Sequence, residues 1–455
     1  MKRTLRRSTL ILIFTLAFIG GIGFFTAELI FGAKDWVDQP YNAHISGSGG
    51  LEQAGKILDR NGNVLAQTVN GERVYNSDPS VRQALLHTVG DNSLNISTAV
   101  QSKYRSLLTG YSLIWGLNMP QSMRSSHDIT LTVDASACKA AYDVLSGMGK
   151  RGACVVYNYK TGEVICSVST YGYDPQAPPE INESNEAQYD GVYLDNVVSS
   201  TYTPGSIFKI VTAAAAIENI PDLFERTWYC TGGEEIGGHP ITCVETHYEI
   251  NFEQAMERSC NYVFASLAVE LGSEKMNATA EKMGINMSFH FDDISTPKGH
   301  YNTTNATEND LAWSGSGQYD DKVNPMQMAI ICGAIGNGGK GTCPTYIKSG
   351  SGDILKEIGV KSSQSYDLVN PATAATLDGV MPKYEFGGMS VHAKTGTAEV
   401  GDEKQPNGWF VGYSVNEDAP LAFACVVEDS GFGNQYARPV AEAAMAASAQ
   451  AIRGY

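Results

Sequence analysis

The stretch Thr203-Pro204-Gly205-Ser206-Ile207-Phe208-Lys209 opens a helix that continues through Ile210-Val211-Thr212-Ala213 to Ile217. Pro204 and Gly205 punctuate its start and an Ala-rich apolar run follows. Ser206 therefore falls in the first turn, where free backbone N–H groups and the positive end of the dipole favour negative charge developing beside the hydroxyl. Lys209, three residues on, shares a helix face with it. An amine held there, desolvated and beside a second cation, loses enough pKa to take the serine proton. Alone, Ser-x-x-Lys says little, because most such tetrapeptides are surface helix turns.

Two further clusters change its weight. Glu257-Arg258-Ser259-Cys260-Asn261 follows a helical Phe252 to Met256 and supplies a hydroxyl and an amide one residue apart. By itself it is the Ser/Asn chemistry of an ordinary helix cap or loop. His392-Ala393-Lys394-Thr395-Gly396-Thr397-Ala398 reads as an edge strand with an exposed lysine, or as a strand on which Gly396 lets a ligand approach while Lys394, Thr395 and Thr397 face an anionic group. Ser259 lies 53 residues beyond Ser206, and Lys394 lies 135 beyond Ser259. Chance agreement of all three in this order is improbable.

Outward from these clusters, Asp128 to Val133 alternates as a strand and Ala135 to Gly147 has helical spacing. Ala153–Tyr157 and Val164–Val168 read as an antiparallel pair, as do Trp409–Tyr413 and Leu421–Val427, with an Ala-rich helix from Val440 to Ile452 closing the chain. Strands at both ends with helices between them predict one sheet assembled from distant segments, an α+β fold. Before His127 lies a smaller module. Ile57-Leu58 and Val64-Leu65 flank the hairpin signal Asp59-Arg60-Asn61-Gly62-Asn63, and Glu72 to Ser126 is irregular with a short helix at Thr98 to Leu108. Gln39 to Leu51, rich in Gly and Ser, reads as a spacer.

The 455 residues carry 32 Lys+Arg against 49 Asp+Glu, a net charge of −17 that repels a phosphate backbone and argues against a nucleic-acid binder. Lys2, Arg3, Arg6 and Arg7 precede Ser8 to Ala27, an uncharged run long enough, at about 1.5 Å per residue, to span a bilayer with its basic flank in the cytoplasm. The run is long for a cleaved signal peptide and no Ala-x-Ala follows it, which favours an anchor over a leader despite Gly21-Ile22-Gly23. Nine cysteines leave at least one thiol unpaired. Cys154, Cys166, Cys332 and Cys425 sit in apolar runs and read as buried small hydrophobes. Cys230 and Cys243 bracket a Gly-rich loop and are expected to be bridged, or at least close enough to bridge, a bridge there contributing about 3 kcal/mol in the chain-entropy model. A zinc set of Cys230, His239, Cys243 and His247 matches no common zinc spacing.

The order Ser-x-x-Lys, Ser-x-Asn, Lys-Thr-Gly resembles the penicillin-binding protein and serine β-lactamase superfamily. Tyr202 to Lys209, Gly315-Ser316-Gly317-Gln318, Asn324-Pro325-Met326-Gln327-Met328-Ala329, Lys394 to Ala398 and Trp409-Phe410-Val411-Gly412 look like the transpeptidase domain of class B penicillin-binding proteins, over about residue 128 to the C-terminus. Gly55 to Gly62 with Leu65-Ala66 resembles their membrane-proximal signature, and the short pedestal looks like that of compact Gram-positive elongation or division paralogues. Departures are Ala54 where Arg is usual, Ala393 where Gly is frequent, and Asn196-Val197 where Asn-Arg is typical.

The resemblance implies a serine β-lactamase/transpeptidase-like domain, an antiparallel sheet flanked by helices, with a small N-terminal pedestal and one transmembrane helix. Its expected layout is a cytoplasmic tail at 1–7, an anchor at 8–27, a dimerisation-like pedestal at 28–126 and the penicillin-binding transpeptidase domain at 127–455, facing outward as a single-pass cell-membrane protein. It implies D,D-transpeptidation of peptidoglycan stem peptides and covalent inhibition by β-lactams, with no cofactor and no metal required. Ser206 would attack, Lys209 act as base, Ser259 relay the proton and Asn261 hold the substrate amide. Lys394, Thr395 and Thr397 would bind the terminal carboxylate across Gly396. Backbone N–H groups of Ser206 and Thr397 would form the oxyanion hole. A glycosyltransferase of the shape, elongation, division and sporulation (SEDS) family is the implied partner. The nearest rival, a class A β-lactamase, needs a Glu with Asn four residues later. None of Glu270, Glu274, Glu281, Glu308, Glu357 and Glu385 has one. A catalytically weak scaffold that activates such a glycosyltransferase is the remaining alternative.

Overall fold

Runs of β-branched and aromatic residues build six strands, β1 (Gly152–Asn158), β2 (Val164–Thr170), β3 (Lys383–Phe386), β4 (Met389–Ala398), β5 (Asn407–Ser414) and β6 (Leu421–Val427). In this computed structural model, which describes residues 2–37, 51–110, 128–348, 365–401 and 404–454, they form one antiparallel sheet in the order β3-β4-β5-β6-β1-β2. Leu421 pairs with Asn158, so the sheet joins distant parts of the chain, as the sequence predicts. The main helices are α1 (Lys2–Val37), α2 (Ala135–Gly147), α3 (Lys209–Asn219), α4 (Asn261–Lys282), α5 (Pro325–Gly336) and α6 (Gly433–Arg453).

Every residue of β1, β2, β5 and β6 is buried, so both faces of the sheet are covered. Tyr413, Ala422 and Tyr157 form one cross-strand row. Helix α5 packs on that face, where a side chain at Gly333 or Gly336 would strike the rings of Tyr157 and Tyr413. Helices α2 and α6 pack on each other and cover the opposite face. Each fully buried aromatic, such as Phe410 or Phe208, contributes about 1.5–3 kcal/mol. Helix α6 starts seven residues earlier than its apolar pattern predicts, with Pro439 inside it and, at its first position, Gly433 against the backbone of Trp409 where no Cβ fits.

In the smaller module, Val64–Val69 pairs with Ile57–Leu58 and Glu72–Tyr75. Ile57–Leu58 also pairs in parallel with Ile129–Thr130, tying the module to the larger unit. The predicted hairpin turn is closed by Asp59, whose carboxylate accepts from the backbone of Asn61 and Asn63, with Gly62 at φ 85°. The predicted Thr98–Leu108 helix breaks at Tyr104 into Val100–Lys103 and Arg105–Thr109. The region from Glu72, read as irregular, also holds a strand and the short helices Pro79–Ala84 and Leu86–Val89. The predicted strand from Asp128 to Val133 is a ladder only at Ile129–Thr130. Residues 111–127 and the spacer before Leu51 lie outside the described residues. In α1, Arg6–Glu28 is long and apolar enough to cross a membrane, and its side chains are unburied.

Candidate active site

The Ser-x-x-Lys segment enters α3 through a 3₁₀ turn, Gly205–Phe208, so the α-helix proper begins at Lys209. This turn is wedged between two other segments. Gly205 has φ 56° and a Cβ there would strike the Thr397 carbonyl, while a Cβ at Gly317 would strike Gly205. Gly205 N donates to Gly317 O at 2.9 Å, Trp409 Nε1 donates to Thr203 O at 3.0 Å, and Gln318 Nε2 donates to Thr397 O at 3.0 Å. These bonds bring the loop before α5 and the end of β4 against Ser206. The Asn324-Pro325-Met326-Gln327 stretch does structural work, as an N-cap with a reciprocal capping box that starts α5.

Six predicted residues converge. Lys209 Nζ lies 3.0 Å from Ser206 Oγ, 3.0 Å from Ser259 Oγ, 2.8 Å from Ser259 O and 2.6 Å from Asn261 Oδ1. Lys394 Nζ donates to Ser259 Oγ at 2.9 Å and to Thr395 O at 2.9 Å. Ser259 Oγ thus bridges two amines. Asn261 Nδ2 donates to Thr242 O at 2.7 Å, which fixes its amide oxygen toward Lys209. Thr395 and Thr397, two apart on β4, share a face and are half-buried. Ser259 itself holds φ 57°, a left-handed conformation uncommon for a side-chain-bearing residue.

Burial dictates the electrostatics. Both lysines are about 1% exposed or less, and with no carboxylate of the described residues bonded to either amine the cost of charge in the interior is uncompensated. Desolvation pushes Lys209 down to about 7. Lys394 is held well below the usual lysine range by burial and then by the charge of Lys209. The contacts of Lys209 suit the neutral form. Ser259 O and Asn261 Oδ1 can only accept and take two N–H groups, leaving the lone pair to the hydroxyl groups of Ser206 and Ser259.

Gly396 departs from the sequence reading. A Cβ there would lie 2.9 Å from Ile207 Cγ2 and 3.1 Å from Pro204 O, so glycine admits the Ser206 turn and not a ligand. Lys394, read alternatively as an exposed edge cation, is buried, and Lys383–Phe386 pairs with the first part of β4. Residues the sequence reading did not single out are Phe264, whose ring is 5.7 Å from Lys209 Nζ, and Gln318, quoted there without a role. Cys230 and Cys243 are neighbours but unbridged: both are thiols with sulfurs 3.8 Å apart, and Cys260 Sγ is 3.8 Å from Cys243 Sγ. His239 stays exposed on its hairpin. Cys154, Cys166, Cys332 and Cys425 are buried as expected, whereas Cys343 is half-buried.

Residues 152–446 match the model of the penicillin binding protein transpeptidase domain. The chain belongs to that family. Among family relatives, the peptidoglycan D,D-transpeptidase PbpA of Mycolicibacterium smegmatis is 26% identical over 370 residues, 70% of this chain and 72% of that one. Penicillin-binding protein 3 of Bacillus subtilis is 26% identical over 384 residues, 77% of this chain and 56% of that one. The D,D-transpeptidase domain of a peptidoglycan glycosyltransferase from Eggerthella lenta superposes with a TM-score of 0.72 at 26% identity, covering 88% of this chain and 99% of that domain. The fold is therefore the penicillin-binding transpeptidase fold, preceded by a single apolar helix fit to span a membrane among the described residues.

Proposed function

We propose that the chain is a peptidoglycan D,D-transpeptidase that works through an acyl-enzyme on Ser206. One observation carries the reading: a buried amine, pushed down to about 7, lies 3.0 Å from Ser206 Oγ with two of its N–H groups taken by carbonyl acceptors. The M. smegmatis relative, named a peptidoglycan D,D-transpeptidase, supports the substrate class. Ser206 Oγ attacks the penultimate D-Ala carbonyl of a stem peptide as Lys209 Nζ takes its proton. The tetrahedral oxyanion is received by backbone N–H groups of Ser206 and Thr397, donors of a kind worth about 3–4 kcal/mol. On collapse the C–N bond breaks, and the departing D-Ala amine gains a proton through Ser259 Oγ. Asn261 keeps one Nδ2 hydrogen for the substrate amide after bonding Thr242 O. Lys394, Thr395 and Thr397 take the terminal carboxylate. An amine of a second stem peptide then attacks the ester, freeing Ser206 and leaving a cross-link.

In the same reading residues 1–7 stay in the cytoplasm, 8–27 span the membrane, and 28–126 form the pedestal of an outward-facing domain at 127–455. The anchor and pedestal are the side from which a SEDS-family glycosyltransferase would be met. A β-lactam enters the first half of the cycle and stops there, because its leaving nitrogen stays tethered. Full-length chain in detergent, treated with benzylpenicillin and analysed by intact mass and peptide mapping, is expected to gain one long-lived penicilloyl group on Ser206. A Ser206→Ala protein that still acylates, or a wild type that hydrolyses penicillin with many turnovers per second, overturns the proposal.

A further inference from the structure

Four metal-ligating side chains meet directly behind the Ser259 turn. Cys230 ends the strand Thr227–Cys230, Cys243 follows the hairpin strand His239–Thr242, His247 precedes the strand Tyr248–Asn251, and Cys260 is the N-cap of α4. Their ligand atoms all lie within 4.8 Å of one another. Cys243 Sγ is 3.8 Å from the sulfurs of both Cys230 and Cys260, and Cys230 Sγ is 3.4 Å from His247 Nδ1. Cys230, His247 and Cys260 are buried and Cys243 is half-buried. We propose that these four residues form a tetrahedral Cys3His zinc site that anchors the Ser259-Cys260-Asn261 segment.

The distances favour a metal over a disulfide. A tetrahedron with Zn–S bonds of about 2.3 Å has S···S edges of about 3.8 Å, and with Zn–N of about 2.0–2.1 Å its S···N edges are about 3.5–3.6 Å. The three shortest separations, 3.8, 3.8 and 3.4 Å, match these edges, and the four ligand atoms together lie within 4.8 Å of one another. A disulfide needs its sulfurs at about 2.05 Å, and one bridge would leave the third thiol unpaired beside it. Three soft sulfurs and one imidazole select zinc over calcium or magnesium, which prefer oxygen ligands. His247 supplies a second, independent sign. Its Nε2 is buried without a hydrogen-bond partner, and Glu245 Oε1 is 3.8 Å away. A metal on Nδ1 leaves the N–H on Nε2, with that carboxylate the nearest candidate for an outer-shell partner.

The spacing, Cys-x12-Cys-x3-His-x12-Cys, follows no common finger pattern because the hairpin of Gly233–Ile236 and His239–Thr242 intervenes between the first two ligands. This is why a reading by spacing set zinc aside and paired His239, which is exposed, with the wrong neighbours. The site has a mechanical consequence. Cys260 lies between Ser259 and Asn261, both of which contact Lys209. A metal on Cys260 holds the left-handed turn at Ser259 in the conformation that aims its hydroxyl between the two amines. The four ligands are positioning residues.

Zinc content is measured independently of acylation, so this proposal and the transpeptidase reading can fail separately. The full-length chain, purified in detergent, is expected to hold one zinc per chain by plasma mass spectrometry and to show no disulfide by intact mass under non-reducing conditions. His247→Ala and Cys230→Ser are each expected to lose most of that zinc, while His239→Ala keeps all of it. Should the ligand variants fold poorly, cobalt(II) exchanged into wild type is expected to give intense tetrahedral d–d absorption and a thiolate charge-transfer band. Chelation is expected to release the metal, restore reactivity of the three thiols and slow acylation by a fluorescent penicillin. A chain that takes up no zinc when supplied with it, or zinc retained fully by both ligand variants, or a Cys230–Cys243 disulfide in the native protein, overturns the proposal.

Discussion

If Lys209 receives the Ser206 proton, the acylation rate follows the fraction of that amine in its neutral form. Burial holds its pKa at about 7, so a pH of 5 leaves about one amine in a hundred neutral and the rate about 100-fold below its plateau. Lys209→Ala removes the acceptor altogether and is expected to slow acylation about 100- to 10,000-fold, the range of general-base effects. The assay is stopped-flow acylation of the full-length chain in detergent by a fluorescent penicillin from pH 5 to 9, with circular dichroism to check that the variant folds. The same burial has a second consequence. The folded pKa lies below the unfolded one, so between about 7 and 10.5 the unfolded chain binds the extra proton and stability rises with pH. Below about 7 the full cost of burying the charge applies, on the order of 5 kcal/mol as an upper bound. Lys209→Met should flatten that slope. A flat acylation profile from pH 5 to 8, or a wild-type rate in Lys209→Ala, would refute the assignment of the base.

Lys394→Ala should raise the β-lactam concentration needed for half-maximal acylation more than it lowers the limiting rate, because the amine is assigned to the carboxylate; an unchanged concentration dependence would remove it from recognition. Burial and the Lys209 charge keep Lys394 well below the lysine range, and an arriving carboxylate raises it again, so binding near neutrality should take up a proton. An indicator dye that registers no uptake in a weakly buffered mixture counts against that coupling. Gly396→Ala should cost about 1–3 kcal/mol and lower the thermal midpoint by forcing Ile207 and Pro204 away from β4. An unchanged midpoint with normal acylation would show that the strand tolerates a Cβ there.

The sheet was legible because β1, β2, β5 and β6 each carry a mostly apolar stretch, consistent with strands buried on both faces. Helix α3 was legible from its alanines and the Pro-Gly entry. Signals that serve two purposes were misread. Gly396 suggests ligand approach but accommodates a neighbouring turn, and the apolar run from Val440 marks only the later part of α6, which begins at Gly433. In the site, only the Ser206–Lys209 pair follows from local geometry, since three residues separate them on one helical turn. The contact of Lys394 with Ser259 spans 135 residues and depends on where β4 sits in the sheet, which no spacing rule encodes. Cys260 escaped notice because it is the middle residue of the Ser-x-Asn motif, where the flanking residues draw the attention.

At Ser259 a strained backbone meets two buried amines. A left-handed backbone at a residue other than glycine costs on the order of 1–3 kcal/mol and persists only when its surroundings over-determine it. Here the surroundings are three hydrogen bonds from two buried amines, one of them to the Ser259 carbonyl, and a neighbour, Cys260, packed among thiols and an imidazole. Hydrogen bonds to charged groups contribute about 1.5–3 kcal/mol each, enough to offset the strain while either amine carries a proton. The turn is thereby coupled to the protonation state of the very amines it serves. When Lys209 gives up its charge to become a base, its own bonds to Ser259 weaken, and the Lys394 bond to Ser259 Oγ together with the packing of Cys260 keeps the hydroxyl between the two lysines.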